Sequence, residues 1–350
     1  MTDRLDVGVL GATGAVGQQF IALLATHPWF RLSWVAASHR SEGKRYRDAA
    51  PWRLPTPCPD EVADLVVDGV TPGRAPKLVF SGLDASVAGD VETAYAQSGH
   101  VVVSNARNHR MEADVPLLVP EVNASHLELL PAQREGRSWT GCIVTNPNCS
   151  TIMLTMALGC LRPFGLRAVN VTTLQAVSGA GYPGVASLDI LGNVIPFIGG
   201  EEEKMETEPQ KILGNIGDGH IEPHAVSISA HTTRVPVMDG HTEMVSVGFS
   251  SVPEIDDVRE SFKSFSGRPQ AESLPSAPAQ PVVYLSDPSR PQPRLDAARG
   301  DGMTVSVGRL RACNVLDYKL VVMGHNTIRG AAGAALLNAE LMKVDGLLEG

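Results

Sequence analysis

The chain is short of several things, and each shortage excludes something. No apolar run reaches 18 residues, so no membrane-spanning helix is expected. No block of lysine and arginine occurs, and 29 basic against 38 acidic residues leave a net charge of −9, so nucleic acid is not an expected partner. Cysteine is sparse: five residues, an odd number, with no CxxC spacing. That argues against a disulfide framework or a bound metal, and for a reducing, cytoplasmic compartment. The opening stretch MTDRLDVGVL carries Asp3 and Asp6 and lacks an apolar h-region with a cleavage site, so no signal peptide is expected. Internal repeats are absent. What is present is an ordinary globular balance, 43% hydrophobic and 19% charged over 350 residues, enough for one large core or two domains.

The first half alternates strand and helix. Leu5 to Leu10 is an apolar strand, and Val16, Phe20, Leu23 and Leu24 then fall at helical spacing until His27-Pro28. RLSWVAAS, KLVFSGL, HVVVSNA and GCIVTNPN read as further strands, with the helix DASVAGDVETAYAQSG before the third of these. Such alternation predicts a parallel, doubly wound sheet. After Cys149 the texture changes. STIMLTMALGCLRPFG is an apolar helix, and LRAVNVTTLQAVSGAG is a long strand that runs into a glycine-rich turn. Residues 224–250 and 303–324 each read as a pair of strands rich in β-branched residues. The expected fold is therefore α/β: a Rossmann-type sheet, then an α+β domain with a mixed or antiparallel sheet. Residues 267–300, rich in proline and serine, read as a surface connection. The last helix is expected to start with Asn326 or Thr327 near its cap.

Gly11, Gly14 and Gly17 give GxxGxxG straight after an apolar strand and at the head of an amphipathic helix. That context fits a phosphate-binding turn, in which backbone approaches a pyrophosphate and the helix offers free N–H groups and its dipole. A bare glycine pattern would equally suit a plain strand–turn–helix. An NAD site usually has a carboxylate after the second strand. Here that strand ends in Ser38, His39, Arg40 and Ser41. Hydroxyls and a guanidinium suit a 2′-phosphate, so NADP(H) is the expected cofactor, although Glu42 stands close by and the loop could be merely solvated.

Cys149, in TNPNCSTI, sits at a predicted strand-to-helix junction. A helix N-terminus favours a thiolate. Most cysteines are inert and buried, and Cys142, Cys160 and Cys313 fit that description; Cys58 lies in a proline-rich loop. Only Cys149 has a nucleophile's setting. A thiolate nucleophile needs a proton partner, and Arg234 and His241 in RVPVMDGHTE are candidates. Alone, that histidine would read as surface decoration.

GATGAVG, TNPNCST, LQAVSGAG, EEEKMETEPQKIL, RVPVMDGH and GHNTIRGAAG occur together and in order. With them the chain resembles the aspartate-β-semialdehyde dehydrogenases along nearly its whole length. Through SNARNHRMEADVPLLVPEVN it looks most like their archaeal and fungal branch. Two sister families fit less well: N-acetyl-glutamyl-phosphate reductases carry a Gly-Cys-Tyr-Pro type context, and glyceraldehyde-phosphate dehydrogenases Ser-Cys-Thr-Thr-Asn.

The resemblance implies roles. Cys149 would attack the acyl phosphate of aspartyl phosphate and form a thioester, which NADPH reduces. His241 would be general acid and base, and Gln175 would orient the acyl group. Arg234 would hold the α-carboxylate and Glu201 the α-amino group. Lys204 and Arg110 would bind phosphate, with Arg107 the alternative to Arg110. The choice of Glu201 over Glu202 and Glu203 rests on its spacing to Lys204; alone, EEEK would read as a solvated helix start. For the cofactor, Gly11, Thr13, Gly14, Ala15 and Val16 would meet the pyrophosphate. Ser38, Arg40 and Ser41 would meet the 2′-phosphate, Ser178 and Gly179 the nicotinamide side, and Asn326 the cofactor from the C-terminal segment, with Asn105 a further cofactor or phosphate neighbour. The implied division is a cofactor domain, 1–149, completed by 326–350, and a catalytic and dimerisation domain, 150–325, in a homodimer or homotetramer. The implied pathway leads to lysine, threonine and methionine. Two rivals remain: a malonyl-CoA reductase with the same Cys149 and His241 chemistry, and a non-catalytic nucleotide sensor.

Overall fold

A computed structural model describes residues 4–348; Asp3 and the last two residues of the C-terminal segment lie outside it. Five strands form the first sheet: β1 (Leu5–Leu10), β2 (Phe30–Ala36), β3 (Leu78–Ser81), β4 (Val101–Ser104) and β5 (Cys142–Thr145). They run parallel in the order β2-β1-β3-β4-β5, so the winding reverses between β1 and β3. Ligands of such sheets bind beyond the carboxyl ends of the strands at that reversal.

Both faces are covered, which is why β3, β4 and β5 are unbroken apolar runs. On one face Val7, Val9, Phe80 and Val103 pack with Phe20, Ile21 and Leu24 of α1 (Ala15–Leu24). On the other, Leu10, Val79 and Val102 meet Tyr95 and Ala96 of α2 (Ala85–Gln97), which Asp84 caps. A third helix, α3 (Leu130–Arg137), precedes β5.

The second sheet contains β6 (Leu166–Gln175), β7 (Ser227–Arg234), β8 (His241–Phe249), β9 (Val282–Leu285), β10 (Val305–Ala312) and β11 (Tyr318–Gly324). Its order is β9-β10-β11-β8-β6-β7, with parallel pairs at both edges and antiparallel pairs between. The mixed sheet is as the sequence implies. Helix α4 (Cys149–Leu161) is buried almost all round, and Ile152, Met156 and Leu158 join Val171, Val245, Val307 and Val322 in one core. Helices α5 (Glu201–Ile212) and α6 (Ile255–Ser264) supply Met205, Ile212, Val258 and Phe262 to it.

Two expectations need correction. Residues 267–300 are not merely a surface connection: they supply β9, paired with β10, and the fully buried Asp296, which binds Arg290 and Arg299. Four apolar residues between prolines are too short to stand out by periodicity. The last helix also begins differently. A π-turn, Ile328–Ala332, precedes α7 (Gly333–Val344), and Thr327 makes no capping bond. Ala335, Leu336, Ala339 and Met342 of α7 return to the core of the first sheet. The π-turn is anchored by Arg329, fully buried, whose guanidinium makes two 2.7 Å bonds to the Glu121 carboxylate. No helix among the described residues is long and apolar enough to cross a membrane.

Candidate active site

The turn after β1 is built by backbone. Gly11 has φ +73°, which favours glycine, and a Cβ on Gly17 would lie 2.3 Å from the Gly11 carbonyl oxygen. Helix α1 can approach the turn this closely only without a side chain there. Gly14, at its N-cap, has no side chain to occupy the free N–H groups. Beside the turn lies a cavity of about 410 Å³, lined by Thr13, Gly14, Ala15, Ser38, Arg40 and Ser41. Lys44 and Arg53, which sequence reasoning overlooked, line it too. Three cations around one end of a phosphate-binding turn fit a cofactor with an additional phosphate. The signal was available as the basic spacing in HRSEGKRYRDAAPWR. Arg53 also stacks on Tyr182, 3.3 Å from the ring centre, so the turn that follows β6 reaches over this cavity.

The second cavity, about 280 Å³, is lined by Ala15, Val16, Asn105, Arg110, Asn148, Cys149, Ser178, Gly179 and Asn326, among others. A larger one, about 530 Å³ and lined by Leu23, His27, Pro275 and Leu336, holds neither a thiol nor a guanidinium. Cys149 is the first residue of α4. Asn148 caps that helix, accepting from Ser150 N at 3.0 Å and Thr151 N at 3.3 Å. Cys149 is half-buried as a residue, and its sulfur lies 3.2 Å from His241 Nε2. His241, fully buried at the start of β8, accepts from the Ala176 backbone N–H at Nδ1, 3.0 Å away. Burial pushes the thiol up to about 12, and Glu201 adds to this, while Arg234 and Arg110 pull it down. Burial, then Arg234 and His325, hold the imidazole down at about 3.

Around this pair the structure gathers most of the other candidates. Glu201, at the head of α5, accepts from Asn148 Nδ2 at 2.8 Å and Lys204 Nζ at 2.6 Å, and more weakly from Gln175 Nε2 at 3.5 Å. Its neighbour Glu202 turns away to accept from Thr232 N at 3.1 Å. Lys204 therefore spends its charge on Glu201 and does not line the cavity. Arg234 ends β7 and donates to the Ala176 carbonyl at 2.8 Å. A Cβ on Gly179 would meet Arg234 Nη1 and His241 Cε1, both at 2.9 Å, so a side chain there would fill the space over the pair. Asn326 is no helix cap: it accepts from Gly240 N at 2.9 Å and donates to Ser178 Oγ at 2.8 Å, tying the two cavity-lining segments together.

Arg110 is buried and donates to Glu208 at 2.8 Å and to the Asn105 carbonyl at 2.8 Å, leaving Nε without a partner. Arg107 is exposed. Glu208 was not foreseen. It lies two turns along α5 from Glu201, and its other oxygen accepts from Asn148 N at 2.7 Å, so it joins Arg110 to the head of α4. Its position seven residues after Glu201, on one helical face, was the available signal. Gly330 was also overlooked: a Cβ there would sit 2.7 Å from Cys149 Cβ, so only glycine lets the π-turn close over the thiol.

Residues 6–130 match the family model for the semialdehyde dehydrogenase NAD binding domain, and residues 158–329 that for the semialdehyde dehydrogenase dimerisation domain. The chain is 48% identical to the aspartate-semialdehyde dehydrogenase of Archaeoglobus fulgidus over 97% of its own length and 98% of the relative's. It is 50% identical to that of Methanothermobacter thermautotrophicus, over 97% and 99%. A crystal structure of aspartate semialdehyde dehydrogenase with NADP from Candida albicans superposes with a TM-score of 0.92 at 43% identity, covering 99% of this chain and 100% of that one. Malonyl-CoA reduction finds no support among these relatives. With a dinucleotide-type turn, a thiol–imidazole pair and full-length likeness on both sides of it, the chain belongs to the aspartate-semialdehyde dehydrogenase family.

Proposed function

We propose that the protein reduces L-4-aspartyl phosphate to L-aspartate 4-semialdehyde with NADPH, releasing phosphate, and catalyses the reverse reaction, on the route to lysine, threonine and methionine. The observation that carries this is the 3.2 Å contact between Cys149 and His241 at the wall of a cavity shared with Arg110, Ser178 and Asn326.

Cys149 sulfur is the nucleophile. Its lone pair forms the C–S bond to the acyl carbon, the bond from that carbon to the phosphate oxygen breaks, and phosphate leaves with the electron pair. His241 is the partner of the sulfur. Arg110 takes the phosphate, favoured over Arg107 by its burial and its place in the cavity wall. Arg234 takes the α-carboxylate, Glu201 the α-ammonium, and Gln175 orients the acyl group. Lys204 acts at phosphate only by leaving Glu201, which an ammonium arriving at that carboxylate would promote. When bound, the nicotinamide supplies hydride to the acyl carbon. Gly11, Thr13, Gly14, Ala15 and Val16 hold its pyrophosphate; Ser38, Arg40 and Ser41, with Lys44 and Arg53, hold the 2′-phosphate; Ser178, Gly179 and Asn326 border the nicotinamide.

We assign residues 1–149 and 326–350 to the cofactor unit and 150–325 to the catalytic and dimerisation unit. The protein works as a homodimer or homotetramer in the cytoplasm, a reading supported by the dimerisation-domain match and five free cysteines. The test is reduction of NADP by the purified protein with aspartate semialdehyde, beside malonate semialdehyde with CoA. The expected rate needs the aspartyl compound and phosphate. A rate only with the CoA pair would overturn the substrate assignment and leave Glu201 without its role.

A further inference from the structure

Helix α5 carries four charges of alternating sign along one stripe: Glu201, Lys204, Glu208 and Lys211. The first two pair with each other at the substrate end. The last two are buried and turn to the loop after β4 that brings in Arg110. Lys211 Nζ donates to three carbonyls of that loop, Arg110 O at 2.7 Å, Glu112 O at 2.6 Å and Val115 O at 2.8 Å. An ammonium has three N–H donors, so Lys211 has none left for a ligand and serves to fix the loop. Glu208, one turn earlier, holds the head group of the same arginine: Oε1 accepts from Arg110 Nη1 at 2.8 Å. Nη2 is tied to the Asn105 carbonyl at 2.8 Å. Arg110 is therefore fixed at backbone and guanidinium, while Nε has no partner in the protein.

The second oxygen of Glu208 does something else. It accepts from Asn148 N at 2.7 Å. Asn148 caps α4, precedes Cys149, and donates through its side chain to Glu201 at 2.8 Å. One rigid carboxylate thus carries the guanidinium on one oxygen and the peptide before the thiol on the other. A buried guanidinium needs a countercharge wherever it stands, and Glu208 supplies it. Neutralisation alone would not require the second oxygen to hold the backbone at the thiol. Charge alone would even work against the site, since an anion beside Arg110 weakens its pull on another anion. Placement outweighs that loss, because a misplacement of 1 Å can cost about 100-fold in rate.

We propose that Glu208 is a positioning residue for phosphate: it sets the Arg110 guanidinium at a fixed reach from Cys149, so that the phosphate of an acyl phosphate meets its donors when the acyl carbon lies at the sulfur. Lys211 steadies the loop from which Arg110 grows. This rests on the proposed reaction, with Arg110 as the phosphate ligand. Glu208 itself touches neither substrate nor cofactor; it acts through Arg110 and through the peptide of Asn148. The planar fork of a guanidinium makes its orientation matter more than that of a point charge.

The test is the second-order rate constant in inorganic phosphate for oxidation of aspartate semialdehyde by the full chain at saturating NADP, which needs no saturation in phosphate. Glu208→Asp keeps the charge and withdraws the carboxylate by one methylene, so that it no longer spans both donors. The rate constant is expected to fall about 10- to 100-fold while KM for NADP stays within about twofold. Glu208→Gln keeps the shape, can accept from only one of the two donors, and is expected to lose in the same direction; it serves if the shorter variant does not fold. A mere countercharge predicts the opposite: parent-like phosphate dependence in Glu208→Asp and tighter phosphate in Glu208→Gln. Either result would overturn the proposal. Added to Arg110→Ala, Glu208→Asp should cost less than about threefold more; the full loss on that background would show that Glu208 does not act through Arg110. A parent protein that needs no phosphate would overturn the proposed reaction and this inference with it, whereas a phosphate-dependent parent beside an unchanged Glu208→Asp would overturn this inference alone.

Discussion

The glycine turn after β1 and the thiol at the head of α4 are two solutions to binding charge, and they differ in how far along the chain they reach. The turn occupies seven consecutive residues, Gly11 to Gly17, and works through backbone. The thiol site draws on segments near 110, 149, 176, 201, 234, 241 and 330 and works through side chains held by one another. A local device is legible and fails locally. A convergent one is legible only where its members carry their own signal, and it fails wherever one support is removed.

Substitution should separate the two. The largest effect is expected from Cys149→Ala, with turnover falling by at least about 10³-fold while NADPH binding, followed by fluorescence titration, stays near that of the parent; turnover that survived would remove the nucleophile. Next comes Ser38→Asp, which puts a carboxylate beside the proposed 2′-phosphate. NADPH affinity should drop about 100-fold with little change for NADH, and equal losses would dissolve the distinction. Gly17→Ala strikes the backbone device itself. Its Cβ would lie 2.3 Å from the Gly11 carbonyl oxygen and 2.7 Å from Ala12 Cα, both backbone atoms, so a loss of about 1–3 kcal/mol in stability is expected by thermal or denaturant unfolding, together with weaker NADPH binding but without change in the chemistry of bound enzyme.

The smallest effect sharpens the comparison most. Glu201 disfavours the Cys149 thiolate, whose pKa stands raised to about 12. Removing the negative charge lowers that pKa, so below it the thiolate fraction rises. Glu201→Gln should therefore react with iodoacetamide about 3- to 10-fold faster at neutral pH, although it turns over more slowly for want of an ammonium partner. Slower alkylation would mean that Glu201 does not act on the sulfur through charge.

The same difference in reach decides how much could be read from sequence. The parallel sheet, the turn and the strand-to-helix setting of Cys149 are local patterns, and each was visible in a window of a dozen residues. His241 lies 92 positions from Cys149, and nothing near it announces the contact; six motifs in register did so. Glu208, Gly330 and the Ala176 amide carried no such flag. Glu208 looks like any acid on an acidic helix, yet it joins Arg110 to the backbone that presents the thiol. Gly330 matters only because of what packs on it. Asn326 reads in sequence as a residue near the helix cap, because its partners, Gly240 and Ser178, are far off in sequence. Lys204 shows the converse: its spacing to Glu201 was read correctly, and that very pairing now occupies its ammonium group.

The central claim is that these scattered residues make Cys149 an acyl acceptor, and it can be tested before any nicotinamide is added. Rapid mixing of the protein with aspartyl phosphate alone, with released phosphate followed in time, should give a burst equal to the concentration of Cys149 sites and then a slow phase, and Cys149→Ala should give no burst. A burst of the same size from Cys149→Ala, or none from the parent protein, would contradict the account.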